Sequence, residues 1–285
     1  MGVGTVAPVP AWSPHPDSWL LIAAFGAAYA IAVLRLGPRS AVAGERAVTR
    51  LQVTSWCLGL LALWIAADWP IHDVAEQSTY SIHMVQHLVL SMVAAPLLLL
   101  GTPAWLLRWL LGPPSRRFRV VRRLARFLPA LVVFNVVLVL THWPAVVDVS
   151  LHHAGLHFLV HAMIFVTSLL VWMPLLSPLP EIPRLSPPSR MAYLFLQSVV
   201  PTVPASFLTF GTSVLYRYYA HRANIWGLSS LQDQQVAGLI MKIGAGILLW
   251  SLIAVTFFQW AADEERAQHP RLRRDLDREL EAMGR

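Results

Sequence analysis

"HMVQHLVLSMVAAPLLLLGTPAW", residues 83–105, carries no acidic side chain, lysine or arginine over a length that crosses a bilayer. A helix rising about 1.5 Å per residue needs roughly 20 apolar residues to span a hydrocarbon core of ~30 Å. Pro96 interrupts this run without ending it, since a membrane helix can re-satisfy the carbonyl that a proline releases. Gly101 and Pro103 then stop it. At its start, His83 and His87 stand four residues apart and so share one helix face.

The same reading extends outward in both directions. Of the 285 residues, 56% are hydrophobic and 13% charged, and the mean hydropathy is +0.56, the composition of an integral membrane protein. Seven segments are long and apolar enough to span: Trp19 to Leu36, Leu51 to Trp69, Tyr80 to Leu100, Pro129 to Val147, Leu156 to Leu176, Met191 to Leu215, and Val236 to Trp260. The expected fold is therefore an all-α membrane protein of seven transmembrane helices. Residues 1–262 form the membrane domain and 263–285 a charged tail, in which a short helix after Pro270 is one option. Pro201 and Pro204 predict a kink in the sixth helix. The N-terminus lacks a basic n-region and its first apolar run ends on arginines, which reads as a retained helix rather than a cleaved leader.

Net charge is +7, which in a soluble protein would suggest nucleic acid. Here the arginines cluster in short loops, and topology explains them without any nucleic-acid partner. Those after the first helix (Arg35, Arg39, Arg46, Arg50), after the third (Arg108 and Arg116 to Arg126), after the fifth (Arg184, Arg190) and in the tail all fall on one side. Cytoplasmic loops are enriched in Arg and Lys. The N-terminus is therefore expected outside and the C-terminus in the cytoplasm of a bacterial plasma membrane, with the arginines meeting lipid headgroups.

The histidines take no part in that assignment, yet nearly all fall on the opposite side. His15, His72, His83, His87, His142, His152, His153, His157 and His221 lie in outer loops or outer helix halves. In "LHHAGLHFLVH", Leu151 to His161, a stripe of His153, His157 and His161 repeats every four residues, with His161 about 12 Å below His153. A lone histidine in such a helix is most simply a hydrogen-bonding strut. A set on three helices at one depth is costly unless it lines a functional cavity. Neutral imidazole is the commonest metal ligand and suits copper, zinc, iron and nickel. The expected ligands are His83, His87, His142, His153, His157 and His161.

Around them, Met84 offers a thioether beside His87, and "DWPIHDVAEQ" supplies Asp68, His72 and Asp73 to recruit a cation or orient an imidazole. Cys57 is the sole cysteine, which excludes a disulfide or a thiolate cluster. Lys242, about 15 Å into the seventh helix, would repel a cation below the histidine layer.

At these residues the chain resembles the CtaG assembly factors associated with caa-type cytochrome c oxidases of bacteria. The likeness rests on the stretch from His83, on "THWP" with His142, on "LHFLVH" with His157 and His161, and on "DQQVAGLIM" from Asp233. The resemblance implies a seven-helix plasma-membrane protein that matures the oxidase and assists copper supply to its metal centres. Oxidase subunits, and an extracytoplasmic copper carrier, are then its partners. Two other classes fit the histidines: a haem-binding membrane protein, with axial imidazoles from facing helices, and a zinc-dependent membrane hydrolase, with Asp68 as the nearest base. A metal-free scaffold is a further alternative.

Overall fold

The computed structural model describes residues 6–40 and 47–283, with side chains for all of these except Ser40 and those after Gln268. Among the described residues, six helices are long and apolar enough to cross a membrane: α1 (Pro16–Arg39), α2 (Arg50–Gln77), α3 (Tyr80–Gly101), α5 (Ala154–Leu176), α6 (Pro187–Phe210) and α7 (Ser230–Gln268). A seventh span exists if α4 (Phe127–Thr141) is counted with Arg116–Leu124, which meets it at 87°.

The cause of that bend is sequence. Arg116–Leu124 places arginines on one face while Phe118 is buried, so it lies as an amphipathic helix across the start of α4. Ser115 caps it by accepting from the Phe118 N–H at 3.1 Å. At the other end α4 stops at Thr141, six residues short of the expected Val147, and Pro144 opens a separate helix, Pro144–His152. Proline at a first helical position begins a helix more readily than it continues one.

Three other boundaries differ from expectation. α2 runs beyond Trp69 because a further helix, Ile71–Gln77, resumes after a turn at Asp68–Pro70. α6 starts at Pro187 and ends at Phe210 rather than Leu215, with its interruption at Val200 and Pro201 as the prolines predict. The last helix continues unbroken through Ala262 and past Pro270 to Met283.

α3 is the axis of the bundle. Some 67% of its apolar window is buried, against 17% for α1 and α2. Two glycines let α2 and α3 approach closely. A Cβ on Gly59 would meet Leu98 at 2.7 Å, and one on Gly101 would meet the Trp56 backbone at 2.6 Å. Pro96 has no N–H to return to the preceding turn, and the released geometry is a π-turn over Val89–Ala94. Trp172 of α5 satisfies it from outside by donating its indole N–H to the Ser91 carbonyl at 2.8 Å.

The N-terminus of α3 is held by α7. Asp233 accepts from the Tyr80 N–H at 2.6 Å and from the Ser81 hydroxyl at 2.5 Å, with the Ser81 N–H at 3.3 Å. It thereby caps backbone donors that have no partner inside the helix. The ends of α2 and α4 and the starts of α3, α5 and α7 thus meet at one end of the bundle, which is where His83, His87, His142 and His157 are.

Candidate metal centre

His83 and His87 come from the first two turns of α3, both buried, at 4% and 7% exposure. His157 and His161 come from the first two turns of α5. One nitrogen from each of His83, His157 and His161 lies within 4.8 Å of the others. His87 completes the packing, with its ring 4.4 Å from that of His83 and 4.9 Å from that of His161. The two i, i+4 pairs therefore form one cluster.

Neighbouring groups fix which nitrogens carry protons. Tyr219 spends its single hydroxyl proton on the Ala75 carbonyl at 2.7 Å, so the His83 Nδ1 that lies 3.3 Å away must donate to it. Burial pushes the Tyr219 phenol well above its ordinary pKa, which keeps that proton in place. His142, capping α4, gives its Nδ1–H to the Leu138 carbonyl at 2.8 Å, since a carbonyl can only accept. In the neutral ring Nε2 is then an acceptor, and His87 Nδ1–H donates to it at 3.2 Å. Nε2 is then the unprotonated nitrogen of both His83 and His87. Tyr216 anchors the arrangement by donating to the His142 carbonyl at 2.9 Å.

The donor set fits a metal ion. His87 Nε2, His161 Nε2 and both nitrogens of His157 are buried without a hydrogen-bond partner among the described residues. Each such group costs roughly 1–3 kcal/mol if left unpaired. Of these rings, His157 and His161 belong with His83 to the group whose nitrogens lie close enough together to hold an ion, while His87 packs against that group.

The remaining expected residues are placed differently. His153 is exposed and caps α5 with φ −135° and ψ 99°, outside the helix, so the stripe on α5 begins at His157. His142 supports His87 from behind. Asp68 is occupied by the indoles of Trp19 and Trp64 and by the Trp69 N–H. Asp73 is buried and binds Ser13 at 2.7 Å, His15 at 2.8 Å and Gln77 at 3.2 Å, tying the N-terminal segment to α2. His72 accepts from the Gln86 amide at Nδ1 and turns Nε2 towards Glu76. Met84 is buried and, with His87, His142, Ser91 and Met241, lines a cavity of about 40 Å³ that reaches Lys242.

Two participants were not anticipated. Glu76 Oε1 lies 3.1 Å from His157 Nε2, though out of line for a hydrogen bond. His72 and Glu76 are themselves an i, i+4 pair, the signal that marked the other histidines. Tyr219 lies in a loop and had no such signal.

The fold and this cluster define a multi-helix membrane protein with a buried imidazole centre at one end of the bundle. The family model for the cytochrome c oxidase caa3 assembly factor (Caa3_CtaG) matches residues 27–263, and the chain belongs to that family. No curated protein and no solved structure shows significant similarity to it.

Proposed function

We propose that the protein binds copper at the histidine centre, with that end of the bundle facing outside, and delivers it to the metal centres of a cytochrome c oxidase during assembly. The observation that carries this reading is the convergence of His83, His157 and His161, with unpartnered nitrogens on His157 and His161. In this reading His83, His87, His157 and His161 hold the ion. Tyr219 and His142 fix the tautomers of His83 and His87, which leaves Nε2 of each free to ligate. All-imidazole ligation lets the ion leave by stepwise ligand exchange, without a thiolate to hold it back. The partners are then oxidase subunits and an extracytoplasmic copper carrier.

The geometry disfavours haem. The rings pack 4.3 to 5.5 Å apart, and the adjoining cavity of about 40 Å³ is far below the ~300 Å³ of even a small ligand pocket. A zinc hydrolase has the Glu76 carboxylate in its favour, but that same cavity offers water-sized room and no place for a substrate. The test is metal analysis of protein purified without chelator or histidine tag. Near-stoichiometric copper is expected; zinc in its place, or a haem absorption band, would overturn the reading.

A further inference from the structure

We propose that Glu76 is the entry ligand of the histidine centre: a divalent cation arriving from water binds first to its carboxylate and then passes to His157. The inference rests on the reading of the centre as a metal site, and adds how the ion gets in.

Exposure falls stepwise along a line of contacts. The side chain of Glu76 is 35% exposed, that of His72 is 22% and that of His157 is 6%. The same carboxylate oxygen approaches both rings, His157 Nε2 at 3.1 Å and His72 Nε2 at 3.5 Å. His157 faces Glu76 and also belongs to the three-histidine cluster. It is the one imidazole common to the mouth and the core.

The neighbouring acids do not compete for this role. Asp68 accepts from three N–H groups and Asp73 from three side chains, which occupies most of their lone pairs. The polar contacts of Glu76 among the described residues are its two histidines, which leaves lone pairs open to water. The Gln86 amide, by donating to His72 Nδ1 at 3.3 Å, leaves the proton of His72 on Nε2, which faces Glu76 at 3.5 Å.

Chemistry then sets the class of ion. A bare cation moving straight from water into a buried ring of neutral imidazoles loses hydration with no opposite charge nearby. A carboxylate at the entrance lowers that barrier and concentrates cations locally. Carboxylate with imidazole suits Cu(II) and Zn(II), whereas Cu(I) prefers sulfur. On the far side the cavity under His87 ends at the basic Lys242, so the path has an acidic mouth and a basic floor. The ion enters and leaves by the same end.

The experiment measures the rate and the end point of Cu(II) uptake by the purified full chain in detergent, repeated with Zn(II). Wild type, Glu76→Gln, His72→Ala and His161→Ala are compared, each first shown to be monodisperse. Glu76→Gln should load roughly tenfold or more slowly while reaching the wild-type end point, and His72→Ala should load slowly too. His161→Ala should instead lose the end point. Glu76→Gln loading at the wild-type rate would overturn the entry role and leave the metal centre standing. Loss of its end point would make Glu76 an obligate ligand of the core and also overturn the proposal. Wild-type protein that takes up neither ion would remove the metal centre itself.

Discussion

His87 donates its Nδ1–H to Nε2 of His142 across 3.2 Å, and His142 passes the same kind of bond to the Leu138 carbonyl at 2.8 Å. A backbone acceptor on α4 thus decides the tautomer of a ring on α3. Second-layer bonds of this sort orient metal-binding imidazoles and raise their basicity.

His142 is accordingly expected to act through His87. His142→Ala should weaken metal affinity by roughly 10–100-fold while leaving the amount bound at saturation unchanged. His142→Gln, which can return an acceptor oxygen to His87, should recover part of the loss. Equal damage from both substitutions, or a lost equivalent of metal, would show that His142 ligates directly.

Asp233 links the stability of the bundle to the geometry of the centre. All of its contacts at the start of α3 are with donors, so Asp233→Asn would turn an amide N–H2 or a weaker acceptor towards the Tyr80 and Ser81 groups. A loss of about 1–3 kcal/mol is expected, read as a lower thermal unfolding temperature in detergent. Unchanged unfolding would mean that the cap contributes nothing.

Protons should compete with the metal. Imidazole ligates only when neutral, and the free side chain titrates near pH 6.5. Affinity should therefore be highest at pH 7.5 and fall progressively as the solution is taken towards pH 4, steeply once several rings protonate together. A curve flat over that whole range would exclude histidine as the ligand.

The spans were legible because apolar length and arginine clustering are properties of composition. The pairs on α3 and α5 were legible because a spacing of four is a helix face. Glu76 has that same relation to His72, and it was missed because the second helix was expected to end at Trp69, which turned residues 71–77 into a loop with no face. Asp73, picked in its place, is about 100° around the helix from His72 and binds Ser13 and His15. His153 failed for the opposite reason. It has the right spacing, but it sits where the helix has not yet begun. Tyr219 and the His87–His142 bond depend on how separate segments meet, and no local pattern encodes that.

The orientation expected from the arginine distribution is open to direct measurement. In a Cys57→Ser background, Arg116→Cys should be protected from an impermeant thiol reagent in intact cells, and His221→Cys should be labelled. His221 is exposed at the histidine end. The reverse pattern would place the centre in the cytoplasm and remove the delivery route to an external metal site.

The last prediction concerns whether α3 and α5 hold one ion or two. His83 lies on α3 and His161 on α5, with their rings 5.5 Å apart, close enough for one ion to bridge them. If they share it, either His83→Ala or His161→Ala should abolish most of the bound copper, because the remaining ligands cannot complete a coordination shell. The double variant should then be little worse than either single one, a strong departure from additivity. Separate sites would lose copper in independent portions. Copper per chain measures the coupling, and the content of assembled caa3 oxidase in the host membranes shows whether the loss matters. Variants that fold, insert and retain full copper would mean that the cluster holds helices together and nothing else.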